Sequence, residues 1–325
     1  MSWSTALLAA TIAFVAGLVL QPLSIRWLRR RGILDIPNHR SSHAATTPRG
    51  GGLAVIAALL VGTLAVSTTT GPTTAVLLGG CIVLGGVGLV DDLRGLPPQI
   101  RLLAQLGVGA LAGLLLPEPI IALAAILVCS VWVASFVNAF NFMDGINGIS
   151  ALTGLVAGIA YSAMGYHYGD PEAAAFSAAL AGACLAFLPF NTPKARVFLG
   201  DVGSYALGFA IAALGWAVWA AGAPLLLALA PTSVYLVDTG STLVRRWRRG
   251  EALTQAHREH VYQRLTQAGW SHIRTSTFVA LVQVSVIVVT SLGALITPWF
   301  TILAVPVLGL YLLSPRVLQR SPAHQ

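Results

Sequence analysis

The sequence predicts an all-α integral membrane protein with many spans. The mean hydropathy of its 325 residues is +0.79, and only 9% of them are charged, where a soluble domain carries about 25%. The apolar runs are continuous and lack the alternation of barrel strands, so the spans are expected to be helices. Residues 1–325 are therefore predicted to form a single polytopic membrane domain.

Apolar runs predict about eleven spans, or ten if the shortest run, 102–116, does not cross the membrane. That run falls short of the roughly 20 apolar residues that normally cross a bilayer. The predicted spans are 3–25, 52–69, 73–90, 102–116, 120–137, 149–164, 173–189, 204–220, 223–244, 276–296 and 298–313.

The basic residues predict the orientation. Five loops near 26–51, 91–101, 138–148, 190–203 and 245–275 share one side with the C-terminal tail in this arrangement. The tail and four of these loops hold all 19 Lys and Arg, and loop 138–148 holds none. The opposite loops hold only acidic charges. Because Lys and Arg accumulate in cytoplasmic loops, the N-terminus is predicted outside, and the C-terminus and the active site on the cytoplasmic face.

The charge pattern also bears on partners and processing. The net charge of +8 suits anionic lipids and phosphorylated substrates, and it does not argue for nucleic acid. The bases Arg26 and Arg29 follow the first apolar run, as expected for an uncleaved span rather than a signal peptide. Three scattered cysteines within apolar runs are expected to be buried packing residues.

A polar stretch at 138–148 separates two uncharged runs. Asn138, Asn141, Asp144 and Asn147 recur at every third residue, and on a helix Asn141 and Asp144 would share a face. A carboxylate with nearby carboxamides suits hard cations and phosphate-bearing ligands. The alternative is a polar turn between two spans, with Asn capping the second.

The first predicted cytoplasmic loop ends with Arg49, followed by three glycines at the mouth of the second span. Glycine lets backbone N–H groups approach an anion closely, and Arg pairs with phosphate through two nitrogens. The alternative is a flexible hinge with an arginine placed by the positive-inside rule.

Adjacent carboxylates, Asp91 and Asp92, stand at the end of the third predicted span. Such a pair is costly near a membrane unless it binds something. It could hold a divalent cation, accept a proton from an attacking group, or pair with Arg94 or Arg101. A water-exposed helix end is the remaining alternative.

The fourth predicted cytoplasmic loop holds Lys194 and Arg196 and then Asp201, which has Gly200 and Gly203 nearby. These glycines permit a close approach, and the following helix would offer free N–H groups to an anion. Asp201 could instead be the N-cap of that helix.

The largest loop begins with a basic cluster, 245–249, which is typical of a membrane flank. His257 could share a helical face with His260 or with Arg264. No third metal ligand stands nearby and Arg258 disfavours a cation, so contacts to phosphate or sugar are expected. Asp238, inside the ninth predicted span, is either functional or paired with a loop arginine.

The acidic and amide clusters all lie at predicted cytoplasmic ends of spans, whereas capping residues would populate both faces. This one-sided placement indicates a site for a metal-bound diphosphate from the cytosol, with the second reactant supplied from the lipid phase.

Together these motifs resemble those of the polyprenyl-phosphate N-acetylhexosamine-1-phosphate transferases. The resemblance covers nearly the whole chain, through 47–52, Asp91-Asp92, 138–148, 198–208 and 257–263. It implies transfer of a sugar 1-phosphate from a UDP-sugar to undecaprenyl phosphate, releasing UMP, with Mg²⁺ or Mn²⁺. It also implies a multi-pass protein of the bacterial inner membrane that starts a lipid-linked envelope polysaccharide such as O-antigen, and it is compatible with a homodimer.

Residue roles carried over from the resemblance are expectations. Asp201 matches the metal-ligand aspartate, with Asn141 as a second contact. Asp91 and Asp92 match the paired aspartates, of which Asp91 would deprotonate or position the lipid phosphate, and Asp144 matches an acid of the nucleotide site. The residues expected to bind substrate are Arg49, Arg101, Asn138, Asn147, Lys194, Arg196, His257, Arg258, His260 and Arg264.

Two departures point to one branch. The peptidoglycan-precursor transferase has a triple His in the largest loop and an acid at the position of Asn147, so this chain looks more like enzymes that use UDP-GlcNAc, UDP-FucNAc or UDP-QuiNAc. The peptidoglycan enzyme remains the alternative within the family. A transporter is the rival of another class, but the sequence shows no inverted repeat and few mid-membrane charges. The motif spacing of a CDP-alcohol phosphotransferase is missing.

Overall fold

The computed structural model describes residues 3–36, 46–67, 71–115, 122–252 and 257–319, which are helical almost throughout. The helices are α1 Trp3–Arg30, α2 Gly52–Val66, α3 Pro72–Arg94, α4 Pro98–Gly113, α5 Ala122–Met143, α6 Ile149–His167, α7 Pro171–Asn191, α8 Gly200–Ala220, α9 Leu225–Leu229, α10 Ser233–Arg248, α11 Val261–Gln267, α12 His272–Leu295 and α13 Ala304–Gln319.

Within the described residues, eight helical stretches are long and apolar enough to cross a membrane. They are α1, α3, α5, α6, α7, α8, α12 and Pro298–Val317, in which the 3₁₀ turn Pro298–Leu303 leads into α13. Helix α2 is apolar but shorter. The prediction of an all-α integral membrane protein is confirmed, whereas the count of eleven spans and the orientation stay predictions.

The run 223–244, expected to be one span, is broken into three pieces. Helix α9 is followed by the 3₁₀ turn Ala230–Thr232, and only then does α10 begin. Pro224 precedes α9 and Pro231 lies in the 3₁₀ turn. Proline has no N–H to donate and clashes with the preceding turn, so a continuous helix is interrupted there.

Helix ends also differ from the predicted loops. Helix α5 continues to Met143, so Asn138 and Asn141 lie on its last turns rather than in a loop. Helix α8 begins at Gly200, four residues before the predicted start, and places Asp201 in its first turn. These polar side chains remain helical because each finds a protein partner, as described below.

The centre of the bundle is α8. Of its apolar stretch, 94% is buried, compared with 11% for the last span at Pro298–Val317. Helix α8 is rich in Ala and Gly, and small residues allow helix backbones to approach closely inside a membrane. Helix α8, which carries Asp201 in its first turn, is therefore surrounded by the other helices of the core.

Within the part of the chain that the structure describes, two short strands complete the fold. Strand β1, Leu34–Asp35, pairs antiparallel with β2, Thr47–Pro48. The next residue, Arg49, forms a parallel bridge with Phe198, just before α8. The chain ahead of α2 is thereby held beside the start of α8, and Arg49 is held with it.

Candidate active site

Four parts of the chain meet at the start of α8: segment 47–52 and the ends of α3 and α5 join its first turn. The backbone amides of Gly50 and Gly51 donate to the Phe198 carbonyl at 3.2 and 2.8 Å. The Gly52 amide donates to the Leu199 carbonyl at 2.9 Å. These amides were expected to bind an anion. They are bonded within the protein instead, so the three glycines hold segment 47–52 against the start of α8.

Glycine is required at two of these contacts. A Cβ on Gly52 would collide with the backbone of Gly203 on α8. A Cβ on Gly88 of α3 would collide with the carbonyl of Asp201. The absent side chains bring segment 47–52 and the end of α3 within reach of the same helix start.

Arg49 links two carboxylates. Its Nε lies 2.6 Å from Asp92 Oδ1, and its Nη2 lies 2.9 Å from Asp201 Oδ2. Burial alone would lower the pKa of Arg49, but the charges of Asp201 and Asp92 more than offset it and raise the pKa. The Arg49 side chain is 38% exposed, so it keeps a face toward solvent.

Asp92 is fully buried and caps α8. Its two carboxylate oxygens accept from the backbone amides of Asp201 and Val202, each at 3.0 Å. Two of the first amides of α8 are therefore already bonded to a carboxylate, and the expectation that they are free for an anion is wrong. Asp201 is also not the N-cap, because Leu199 holds that position.

Asp201 is the more accessible carboxylate, with its side chain 17% exposed. Its Oδ1 accepts from the Asn141 amide nitrogen at 2.9 Å, and the same nitrogen donates to Ser204 Oγ at 2.8 Å. Among the described residues, the Asn141 amide oxygen has no protein partner. Asp201 and Asn141 thus lie together, as the metal-site prediction requires.

Asp91 points away from Asp92 and enters a separate set of bonds. Tyr205 donates its hydroxyl to Asp91 Oδ2 at 2.6 Å, and Arg101 Nη1 lies 3.1 Å from the same oxygen. The Leu96 amide donates to Asp91 Oδ1 at 2.7 Å. Holding a cation, accepting a proton and pairing with an arginine were the three uses considered for Asp91 and Asp92. For Asp91, the structure shows the ion pair with Arg101.

Asn138 lies one turn before Asn141 on α5 and binds Gln105. Its amide nitrogen donates to Gln105 Oε1 at 2.6 Å and to the Ala134 carbonyl at 2.7 Å. This bond ties α5 to α4, which also carries Arg101. Asn138 therefore supports the arrangement and uses its amide hydrogens within the protein.

Asp144 follows the end of α5, so the expectation that it shares a helical face with Asn141 is wrong. Ser150 donates to its Oδ1 at 2.6 Å, while Oδ2 has no partner among the described residues. Burial raises the pKa of Asp144 to about 6, against the effect of the Ser150 hydrogen bond. The negative charge of Asp201 raises the pKa of Asp144 further, because the two carboxylates repel each other.

Asn147 is engaged in holding the α5–α6 turn. Its side chain donates to the Pro193 carbonyl at 3.0 Å, and its own carbonyl accepts from Ser276 at 2.8 Å. Asn191 accepts from the Gly148 amide at 2.6 Å in the same turn. Lys194 is exposed, and Arg196 lies over the Phe190 ring while donating to the Pro189 carbonyl at 2.8 Å.

The histidines of the largest loop do not share a helical face, because α11 begins only at Val261. His260 is buried, with Nδ1 3.1 Å from Asp238 Oδ1. His257 is half-buried beside it, the ring centroids being 5.0 Å apart, and its Nδ1 has no partner among the described residues. Burial, and then the charge of His260, lower the pKa of His257.

This loop still reaches the site, through a residue that the sequence analysis did not single out. Tyr262 on α11 donates to the Phe142 carbonyl at 3.0 Å and packs on Gly145. Arg258 and Arg264 instead line a different cavity, described below.

Tyr205 and Ser204 were also missed. A usable signal existed, because they follow Asp201 by four and three residues on one helix and so return to nearly the same face. The partner of Tyr205, Asp91, lies 114 residues away in the chain, and no local pattern reveals that contact.

The chemistry of the site fits a hard cation carried by a phosphate-bearing substrate. No group of three His, Cys, Asp or Glu side chains placed for a metal occurs among the described residues. Mg²⁺ commonly takes only one or two carboxylates, with waters and substrate phosphates completing the shell. Asp201, the free oxygen of Asp144 and the amide oxygen of Asn141 meet that need.

Comparison with known proteins decides the family. The sequence model described as Glycosyl transferase family 4 matches residues 74–218. The decaprenyl-phosphate N-acetylglucosaminephosphotransferase of Mycobacterium tuberculosis (strain CDC 1551 / Oshkosh) is 30% identical over 85% of this chain and 79% of its own length. This chain belongs to glycosyl transferase family 4.

Other relatives mark the range of the family. The probable undecaprenyl-phosphate N-acetylglucosaminyl 1-phosphate transferase of Bacillus subtilis (strain 168) is 25% identical over 81% of this chain and 78% of its own length. A phospho-N-acetylmuramoyl-pentapeptide-transferase of Shouchella clausii (strain KSM-K16) is 32% identical over 64% of this chain and 74% of its own length. The resemblance stated from the motifs is confirmed.

Proposed function

We propose that this chain transfers N-acetylglucosamine 1-phosphate from UDP-N-acetylglucosamine to a polyprenyl phosphate and releases UMP. One observation carries the proposal: Arg49, Asp201 and Asn141, from three separate segments, are joined by direct bonds at one end of the bundle. Relatives in the same family are named for this reaction.

The reaction requires positioning more than acid–base chemistry. An oxygen of the polyprenyl phosphate attacks the β-phosphorus, which carries the sugar, and the bond from that phosphorus to the bridging oxygen breaks. UMP leaves with the bridging oxygen. Because the second pKa of a phosphate monoester is about 6, the attacking oxygen is already ionised near neutral pH. No side chain then has to remove a proton.

The donor diphosphate would bind over Asp201 and Asn141. Mg²⁺, or Mn²⁺, would neutralise the negative charge that develops between the phosphates. Arg49 is partly exposed and held between two carboxylates, so it can turn nitrogens toward a phosphate oxygen without losing its position. Asp144 would keep the nucleotide side of the site acidic, and His257 and Lys194 remain candidates for sugar or phosphate contacts.

The acceptor phosphate would bind at Arg101. One guanidinium nitrogen of Arg101 holds Asp91, and the side chain is 33% exposed, which leaves its other nitrogens for a ligand. Tyr205 donates to the Asp91 oxygen that Arg101 binds, and the Leu96 amide donates to the other oxygen, so both hold Asp91 in place. We assign Asp91 a positioning role toward Arg101, in preference to proton removal.

The proposal includes a place and an orientation. The cytoplasmic membrane of a bacterium, with the N-terminus outside and the site facing the cytosol, follows from the basic loops and from the solubility of the donor. A homodimer is compatible with this arrangement.

The pentapeptide-transferase activity is the second candidate, favoured by the similarity to the relative from Shouchella clausii. The two candidates differ in the donor, a UDP-N-acetylglucosamine or a UDP-N-acetylmuramoyl-pentapeptide. Assays of both donors in parallel separate them.

The test is a transfer assay in proteoliposomes. Radiolabelled UDP-N-acetylglucosamine, undecaprenyl phosphate and Mg²⁺ are supplied to the wild type, to Asp201→Asn and to Asp170→Asn. Asp170 caps the N-terminus of α7 and lies outside the proposed site, so it is the matched control. A lipid-linked product from the wild type and the control, lost with EDTA and in Asp201→Asn, supports the proposal. Product formed only from UDP-FucNAc or UDP-QuiNAc would keep the reaction class and change the proposed donor sugar. A folded protein that is inactive with every UDP-sugar would contradict the proposal and favour a transporter.

A further inference from the structure

The largest loop forms a cavity of about 360 Å³ that contains none of the acidic site residues. Its lining includes five arginines together with Glu259. We call it the arginine pocket, and its arginines are Arg245, Arg249, Arg258, Arg264 and Arg316.

Positive charge in the arginine pocket is only partly compensated. The Glu259 carboxylate is held by Arg249 and by Arg246 at 3.0 Å. Arg245 bonds to neutral acceptors, among them Thr242 Oγ1 at 2.8 Å. Burial, and then the positive charge of Arg264, lower the pKa of Arg245. Cations that repel one another in a partly enclosed space favour an anionic ligand.

Three of these arginines, Arg258, Arg264 and Arg316, have guanidinium groups without any partner among the described residues. Arg264 lies on α11 and Arg316 on α13, so elements from distant parts of the chain direct uncommitted donors to one cavity. A guanidinium pairs with phosphate oxygens through two parallel N–H bonds, and no structural ion pair competes for these three.

Exposed apolar side chains neighbour the pocket arginines along α10 and α13. Val244 and Trp247 on α10 are 46% and 69% exposed, and Leu313 and Val317 on α13 are 47% and 64% exposed. A basic site flanked by exposed Trp and aliphatic residues is typical of the membrane–water interface, where a headgroup and its acyl chains are both within reach.

We propose that the arginine pocket binds the phosphate group of an anionic phospholipid. The same guanidinium chemistry would recognise free phosphate, but the exposed apolar residues beside the pocket favour a lipid. A headgroup bound there would neutralise the cluster and tie α13 to α10 and α11. This site is separate from the transfer reaction and does not depend on the proposed function.

The test measures binding of fluorescent phosphatidylglycerol to the full-length protein in neutral detergent. Arg264→Gln and Arg316→Gln each remove one uncommitted arginine, and Arg248→Gln, an exposed arginine on α10 outside the pocket, is the matched control. Each pocket variant is expected to bind about fivefold more weakly, as about 1 kcal/mol per basic residue implies. The control should stay within about twofold of the wild type.

The outcomes separate the sources of the phosphate. Competition by unlabelled phosphatidylglycerol and not by inorganic phosphate supports a lipid site. Displacement by inorganic phosphate at equal concentration overturns the lipid assignment. Equal weakening in Arg248→Gln, or none in the pocket variants, overturns the site. Melting temperatures confirm folding, and Arg316, exposed near the end of the last helix, decides the matter if Arg264→Gln does not fold.

Discussion

The start of α8 and the start of α11 are built alike up to a point. Each begins beneath a fully buried carboxylate from another helix: Asp92 accepts from two amides of α8, and Asp238 accepts from the Val261 amide at 3.0 Å. Each carboxylate also has side-chain partners. Asp92 has Arg49, and Asp238 has His260 and the hydroxyl of Tyr311 at 2.6 Å.

The difference is a second carboxylate. Beside Asp92 stands Asp201, which is partly exposed and joined to Arg49 and Asn141, whereas the partners of Asp238 are all buried. A buried acid at a helix start is therefore no sign of catalysis by itself. The accessible acid next to it is the one that can meet a ligand, and we assign Asp92 and Asp238 to structure and Asp201 to substrate.

The largest expected effect separates these roles by activity. Asp201→Asn should lower the transfer rate by about 10²–10³-fold, the usual cost of losing a group that stabilises developing charge. Its melting temperature should stay close to that of the wild type, because asparagine can keep the contact with Asn141. The rate of UMP release and the melting temperature are measured on the same preparation. Full activity in this variant would contradict the assignment.

Stability separates the two caps. Asp92→Asn should destabilise the protein by about 2–3 kcal/mol, because it weakens the cap of α8 and removes one of the two ion pairs of the partly exposed Arg49. Asp238→Asn should cost about 1–3 kcal/mol, since its side-chain partners are a histidine and a tyrosine. Denaturant unfolding in detergent provides both values. A larger loss of unfolding free energy in Asp238→Asn than in Asp92→Asn would show that the cap of α11 contributes more to stability than the cap of α8.

Asp144, which lies between the two regions, gives a pH signature. With a folded pKa of about 6, against about 3.9 in an unfolded chain, the folded protein holds a proton that the unfolded chain has lost between those values. Stability from this group is present at low pH and is lost as the pH rises through 6. Asp144→Asn should thus be more stable than the wild type by about 3 kcal/mol well above pH 6, and equal to it below pH 4.

Melting curves across this range, in EDTA, check that sign. A chelator is needed because a bound cation would favour the carboxylate and reverse the effect. A variant that is less stable than the wild type at every pH would show that the Ser150 hydrogen bond outweighs the cost of burial.

The smallest effect concerns Asn147, a predicted substrate residue whose side chain bonds to the Pro193 carbonyl. Asn147→Ala should cost about 1 kcal/mol of stability and change the transfer rate by no more than about twofold. A large loss of activity with unchanged stability would return Asn147 to the substrate site.

Sequence patterns predicted the apolar helices and which polar residues matter, because composition and span ends are local properties. Asp201 and Asn141 were paired from their motifs, and they lie 2.9 Å apart. The division of labour within Asp91-Asp92 was not predictable. One carboxylate turns to Tyr205 and the other to the amides of α8, and that choice depends on close packing at Gly52 and Gly88 between segments far apart in the chain.

The break at Pro231 and the role of Asp238 illustrate the same limit. Hydropathy treats 223–244 as one apolar run, although two prolines interrupt its hydrogen bonds. Asp238 was expected to be functional or paired with a loop arginine, and it binds His260 and Tyr311 instead, the latter from the last helix.

Ligand-induced stabilisation tests the central assignment most directly. The shift in melting temperature on adding Mg²⁺ and UDP-N-acetylglucosamine is measured for the wild type, Asp201→Asn and Asp170→Asn. A ligand that binds the folded state raises its stability in proportion to the logarithm of its concentration over Kd. A shift in the wild type and in Asp170→Asn, absent in Asp201→Asn, is the predicted result. An equal shift in all three proteins would place the donor away from Asp201 and contradict the account.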